Sequence, residues 1–292
     1  MSLNFELKNR KLFDRKYRKN MGGKMSEYSF KNLEKVGRLG NQLFQIAWTY
    51  GQALSNNGDP TIIPSWEYRK YFSIPDSLFK DASENSIDGG TKYYQELRYW
   101  SDYSSDIWDM FQPSDYARSE LNNYIGNDIN NMENYGCSIH HRLGDYLKYS
   151  NHFPIPSNQY YINSIVTILE SNPETVFYVF SDNIKRIHNM YRQNDFTSNL
   201  IEEGKMVFFN GTPRPVEVSE RFGEPSDWLD LFAMSKCKNH IIANSTFSWW
   251  GAFLSADGTV IYPSVWFGSD PAVSSIPWRN MIPEGWVEID AH

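Results

Sequence analysis

The stretch Lys238–Leu254, KNHIIANSTFSWWGAFL, decides how this chain is read. An apolar strand over His240–Ala243 runs into a polar turn (Asn244, Ser245, Thr246), and an aromatic helix start follows at Phe247, Trp249 and Trp250. Ser and Thr cap helices, the first backbone N–H groups of a helix lack intrahelical partners, and the helix dipole favours negative charge there. In an open α/β sheet such a turn lies at the carboxyl end of a strand, where ligands bind. Strand, turn and capped helix therefore predict an anion site of the kind that holds a phosphate. An ordinary capped helix with an aromatic core face has the same pattern, so the neighbouring motifs must decide.

Outward from this block the pattern is regular. Strands are predicted at Gly136–His140, Thr175–Phe180, Lys205–Phe209 and Thr259–Tyr262, alternating with helices over Ser157–Ser171, Ile184–Tyr191 and Asp227–Lys236. Strands and helices alternating at this spacing imply a doubly wound parallel sheet with right-handed crossovers. The first half is less regular. It offers a strand over Tyr28–Val36, a helix from Leu43 to about Asn56, a strand from Thr61 to Ile63, and a short strand at Lys92–Glu96 within an aromatic region. The turn formers Gly126–Asn131 set a boundary, giving an N-terminal α/β lobe over 26–132 and a C-terminal lobe over 133–292. Residues 1–25, with the basic cluster Lys8 to Lys19, read as a tail without assigned function.

With 292 residues the chain can build two cores. An aromatic content of 16%, with 10 Trp and 19 Tyr, suits burial and also stacking on sugars and bases. A net charge of −7 argues against a nucleic-acid partner. Neither a transmembrane run nor a secretory leader is evident, and Cys137 and Cys237 show no metal-ligand spacing. The expectation is a cytoplasmic protein; the basic cluster adds peripheral contact at the inner membrane as an alternative.

Three clusters flank predicted strands and helices. GRLGNQ (Gly37–Gln42) allows close backbone approach and adds the amides of Asn41 and Gln42, although such turns also simply pack a helix on a strand. HHRLGDY (His140–Tyr146) ends a strand with Arg142, whose guanidinium can grip a phosphate, and with Asp145, which can orient that guanidinium or act as a base. His140 or His141 can donate to an oxyanion. A surface ion pair between Arg142 and Asp145, worth about 0–1 kcal/mol, is an equally weighted alternative. Ser181-Asp182-Asn183 places an acid at a strand end, where it binds a ribose or base edge, caps the following helix, or does both. No Asp-x-Asp occurs, so no metal is expected: Arg142 and the helix start at Ser245–Phe247 would take a cation's place.

Together, GRLGNQLFQIAW, HHRLGDYL, VFYVFSDN, DLFAMSKCKNHIIANSTFSWWGAFL and VIYPSVWF resemble, in this order, the alpha-1,2-fucosyltransferases of glycosyltransferase family eleven, from about Val36 to Phe267. The resemblance implies a GT-B-like architecture of two Rossmann-like lobes, GDP-fucose as donor on the C-terminal lobe, no cofactor, and inversion at the anomeric carbon without a metal. It gives Arg142 the donor phosphates and His140 the start of the same motif. Asp182 falls near guanine or ribose, and Asn244, Ser245, Thr246 and Phe247 form the turn that holds the β-phosphate. Asn41, beside Gln42, falls near the fucose. Two departures stand out: Leu143 and Asn183 occupy positions where the family usually has a second arginine and a second acid. The acceptor, expected to be a galactoside-type glycan, should be chosen between Trp66 and Tyr124, where only KYYQELRYW (Lys92–Trp100) matches.

The implied reaction is a single displacement in which an acceptor hydroxyl attacks as GDP departs. Donors fixed around the leaving phosphate then stabilise the transition state more than the ground state. Asp145 is the expected general base, ahead of His141 and His152. The alternatives are transfer of another sugar or linkage on the same fold, and a noncatalytic nucleotide- or carbohydrate-binding relative, for which Leu143 leaves room.

Overall fold

In the computed structural model, residues 25–209, 227–255 and 257–292 are described; the basic cluster of the predicted tail lies outside them. Two parallel sheets organise the chain. The first has three short strands, β1 (Glu27–Ser29), β2 (Asp59–Thr61) and β3 (Ile87–Asp88), in the order β2-β1-β3. The second has six, β4 (Gly136–His141), β5 (Val176–Ser181), β6 (Met206–Phe208), β7 (Asn239–Ile241), β8 (Val260–Pro263) and β9 (Val287–Ile289), in the order β6-β5-β4-β7-β8-β9. Every pairing in both sheets is parallel. Counted within the larger sheet the order is 3-2-1-4-5-6, that of dinucleotide-binding folds. Its direction reverses between β4 and β7, and a crevice opens there at their carboxyl ends.

The N-terminal sheet is wrapped around α1 (Leu39–Ser55), which is buried along most of its length. This helix starts four residues before the predicted Leu43. The amides of Asn41 and Gln42 already bond the Arg38 carbonyl, so GNQ forms the helix's first turn rather than a loop before it. The predicted strand over Tyr28–Val36 shortens to β1. Beyond it, Leu33 N–H bonds Phe30 and Lys35 N–H bonds Asn32, turn pairings that suit a run of Lys, Asn and Glu, which fit pleated sheets poorly. Residues Lys92–Glu96 form a bend, not a strand. Helices α2 (Ser104–Met110), α3 (Asp115–Ile125) and α4 (Ile129–Tyr135) follow, so the expected boundary loop is largely helical.

In the C-terminal half, α5 (Asn158–Ser171) is capped by Ser157, and α6 (Ile184–Arg192) by Asn183. Helices α7 (Asp195–Glu202), α8 (Asp227–Ser235) and α9 (Thr246–Phe253) complete it. Alternation along β4 and β5 divides the sheet's side chains between two cores. Cys137, Ile139, Phe177 and Val179 pack outward against α5 and α6, whereas Tyr178 and Phe180 join the core shared with the N-terminal half. That shared core is aromatic. Phe44 of α1 lies 4.8 Å from both Trp249 and Trp250, Trp100 stacks on Trp250 at 5.5 Å, and Tyr71 stacks on Trp228 at 4.2 Å.

Candidate active site

A cleft of about 1120 Å³ lies where the two halves meet, over the carboxyl ends of β4, β5 and β7. Arg142 and the turn Asn244–Phe247 both line it. The guanidinium and the Ser-Thr elbow, remote in sequence, thus share one cavity at the sheet's reversal point. The elbow has the expected capping geometry: Ser245 is extended, and its hydroxyl accepts from the Phe247 amide at 3.4 Å. The N-terminus of α9 therefore opens into the cleft.

Arg142 is braced on two sides. Its Nη2 donates to Asp145 Oδ1 at 2.5 Å, and its Nη1 pairs with Asp182 Oδ2 at 2.6 Å. These pairings occupy two of the five N–H donors of a guanidinium. Asp145 also pairs with Arg38 at 3.5 Å. Asp182 accepts the Leu143 amide at 2.9 Å, and Gly144 makes that approach possible, since a Cβ there would stand 2.6 Å from Asp182 Oδ2. Helix capping falls to Asn183, so the acid takes the brace and the neighbouring amide takes the cap. Two arginines and two carboxylates thus meet on this side of the cleft, so its local charge is close to balanced.

Strand alternation separates the two histidines, and Leu143 lies just beyond the strand. His140 lines the cleft, 5.5 Å from the Phe247 ring, and its Nδ1 has no hydrogen-bond partner among the described residues. Burial, helped by the Arg142 charge, pushes its pKa down to about 3, so it stays neutral and is no general acid at physiological pH. His141 faces the other way: it bonds Tyr191 at 2.8 Å and stacks on Tyr161, which removes it as a base. His152 pairs with Asp270 at 3.6 Å and does not line the cleft. Leu143 is buried in the outer core, so the position after Arg142 points away from the ligand space in this chain.

The amide of Gln42 serves the fold, and that of Asn244, although it lines the cleft, is engaged with the backbone. Gln42 accepts from the Trp66 indole at 2.9 Å, donates to the Gly37 carbonyl at 3.2 Å, and stays outside the cleft. Asn244 donates to the carbonyls of Pro154 (2.8 Å) and Trp266 (2.9 Å), tying the cleft walls together. Asn41 does reach the site: its Oδ1 accepts from Thr246 Oγ1 at 3.1 Å and from Gln95 at 3.0 Å. Gly40 allows that contact, because a Cβ there would meet the Phe247 nitrogen at 2.6 Å.

Several lining residues carried no site assignment in the sequence reading. Arg38, inside the quoted GRLGNQ motif, sits just before α1 without a side-chain capping bond and pairs with Asp145. Asp227 and Asp230, one turn apart at the start of α8, face the cleft and accept from Tyr68 and Tyr124. Burial raises the Asp227 carboxyl, partly offset by the Tyr68 hydroxyl. The wall from Phe267 to Trp278 also had no role; only Phe267 and Trp278 at its ends are aromatic, so little in the sequence marked it. Among the described residues no group of three His, Cys, Asp or Glu is placed to hold a metal ion, and no helix is long and apolar enough to cross a membrane.

Residues 60–287 match Glycosyl transferase family 11. The chain belongs to this family. An alpha-1,2-colitosyltransferase of Escherichia coli is 30% identical over 87% of this chain and 97% of its own length. An O-antigen biosynthesis glycosyltransferase, WbnK, of Escherichia coli is 33% identical over 56% of this chain and 51% of its own. In fold, the family 11 chain resembles the GDP complex of an Arabidopsis thaliana FUT1 variant, with TM-score 0.52 and 10% identity, covering 84% of this chain and 72% of that one. This family 11 glycosyltransferase thus has a mixed α/β, GT-B-like architecture, as its motifs implied.

Proposed function

We propose that the protein transfers L-fucose from GDP-fucose to a hydroxyl of a galactoside-type glycan, forming an alpha-1,2 linkage with inversion and without a metal ion. The observation that carries this reading is the convergence of Arg142 and the Ser245–Phe247 helix start on one cleft. The acceptor oxygen forms its bond to the anomeric carbon as the bond to the β-phosphate oxygen breaks. Negative charge then grows on the departing GDP. The Arg142 guanidinium, the Ser245 hydroxyl and the N-terminal end of α9 stand beside it, and the Thr246 hydroxyl joins them by turning from Asn41. Arg38 adds a second cation from the N-terminal side, and neutral His140 contributes a polar contact without a proton to give.

Asp145 is held by both arginines, so its first task in this scheme is to aim them; it is also a carboxylate open enough to receive the acceptor's proton. Asp145→Asn separates the two. Loss of a clamp weakens GDP binding, while loss of a base lowers kcat with GDP affinity kept. Full activity after EDTA dialysis is expected, and activity restored only by Mg²⁺ or Mn²⁺ overturns the metal-free scheme.

A second donor is favoured by one comparison, since the relative aligned along most of the chain is named for colitose transfer. Offering GDP-fucose and nucleotide-activated colitose together, with mass and linkage analysis of the product, tests the choice. A product carrying only colitose would replace fucose in the scheme and leave the rest intact. Absence of any glycosyl transfer, with GDP still bound, would support a noncatalytic relative.

A further inference from the structure

One bend in the N-terminal half is strained. Tyr94 has φ of 52°, in the left-handed region that bulky side chains rarely occupy. The only other non-glycine residue with positive φ among the described residues is Asn57, a type that tolerates it. Strain of this kind persists only where packing over-determines it, and such positions cluster at functional sites. Here the packing is visible: the Tyr94 ring stacks on Trp48 at 4.5 Å and meets Phe30 and Tyr99 edge-on.

Anchoring Tyr94 leaves its two neighbours at the cleft. Tyr93 lines it with 43% of its surface exposed. Gln95 bonds Asn41, which bonds Thr246 of the phosphate elbow. Across the gap stand Ile276, 38% exposed, and Trp278, which stacks on Trp266 at 6.0 Å. The two walls are joined where Asn280 donates to Glu96 at 2.7 Å. The cleft therefore has a charged floor at Arg142 and, beside it, an aromatic wall with amides at its foot.

A neutral pyranose matches that wall. Its C–H face lies flat on an aromatic ring and its hydroxyl edge meets amides. Galactose suits it well, because its axial hydroxyl gathers the C–H groups of C3, C4 and C5 on one face. We infer that Tyr93, Gln95 and the Val273–Trp278 wall form the acceptor subsite, with the Tyr93 ring as the platform for a terminal β-galactoside. The choice of galactoside rests on the fucosyl-transfer reading above. Tyr94 is a positioning residue that acts through Tyr93 and Gln95.

The test uses the full chain with GDP, lactose as probe, and the variants Tyr93→Ala and Tyr93→Phe. Saturation-transfer NMR should show lactose contact in the wild type and in Tyr93→Phe, and its loss in Tyr93→Ala. In steady-state transfer, Tyr93→Ala should raise KM for lactose about tenfold, and Tyr93→Phe should restore it, since the ring face carries the contact. GDP-fucose hydrolysis without acceptor should stay at the wild-type rate in both, with unchanged melting temperature. Equal lactose contact or equal KM in wild type and Tyr93→Ala overturns the subsite, as does a wild type that shows no lactose contact. A wild type that contacts lactose through Tyr93 yet neither binds nor consumes GDP-fucose would uphold the subsite and overturn the donor assignment instead.

Discussion

The two halves of this glycosyltransferase are built by different means. The C-terminal half is a six-stranded parallel sheet whose alternation dictates what each strand residue faces: His140 looks into the cleft and His141, one residue on, packs on Tyr161 and Tyr191. The N-terminal half has strands of only two or three residues and takes its shape from one buried helix and a net of aromatic rings. Regular hydrogen bonding positions Arg142 and the Ser245–Phe247 turn, whereas side-chain packing positions the wall opposite. The first is hard to move without unfolding the sheet; the second can be re-cut by exchanging a few rings.

The sharpest way to break this contrast is at the seam. Trp250 touches Phe44, Trp100 and Phe111, and its indole donates to the Gly40 carbonyl at 3.0 Å. Trp250→Ala should cost about 3–5 kcal/mol, read as a lowered denaturant midpoint. If the halves share one core, the transition stays single. Two separated transitions would show them to be independent. Next in size is Arg142→Ala, which should lower transfer about 10²- to 10³-fold with little change in melting temperature. Arg142→Lys should recover little of it, because an ammonium cannot keep two carboxylates and a phosphate in one plane. Near-normal turnover in either variant would sink the assignment.

Gly40→Ala probes the contact between the halves directly. The added methyl must displace the Phe247 amide, so the Kd for GDP should rise about tenfold or more, measured by calorimetry. Unchanged affinity would mean that the elbow is not set by α1. The smallest effect concerns acid. All six histidines lie beyond residue 139, and His140 and His240 are held neutral by burial, with pKa values near 3. The unfolded chain binds protons at both below about pH 6.5 while the native state does not. Each therefore removes stability as pH falls from about 6.5 toward 3, by up to about 1.4 kcal/mol per pH unit. His240→Gln should flatten that slope in denaturant titrations at pH 5 and 7; an unchanged slope refutes it.

How much of this was legible in the sequence follows the same division. Strands and helices of the C-terminal half lie within a residue or two of their predicted ranges, because buried parallel strands between capped helices leave a clear pattern. Exceptions are β9, three residues of which none is buried, and the short α7. Arg142, His140 and the Ser245–Phe247 elbow were readable because their place at strand ends fixes their direction. The bonds that engage the Gln42 and Asn244 amides were not. A sequence supplies an inventory of amide donors, but which neighbours use them depends on Trp66, Pro154 and Trp266, far away along the chain. The bend at Lys92–Glu96 was likewise hidden, since Tyr94 adopts its backbone only through rings contributed by Phe30 and Trp48.

Phe44 and Trp100 of the first half and Trp250 of the second form one aromatic cluster, and that bears on how new specificities arise here. A chimaera that grafts the first 132 residues of one relative onto the remainder of another inherits mismatched indoles at the graft plane, and exposes them as a sticky face. Exchange of whole halves is thus a poor route to a different product. Variation confined to the rim, at Tyr93 or Ile276, leaves the joint untouched and is the path open to breeding and to engineering alike.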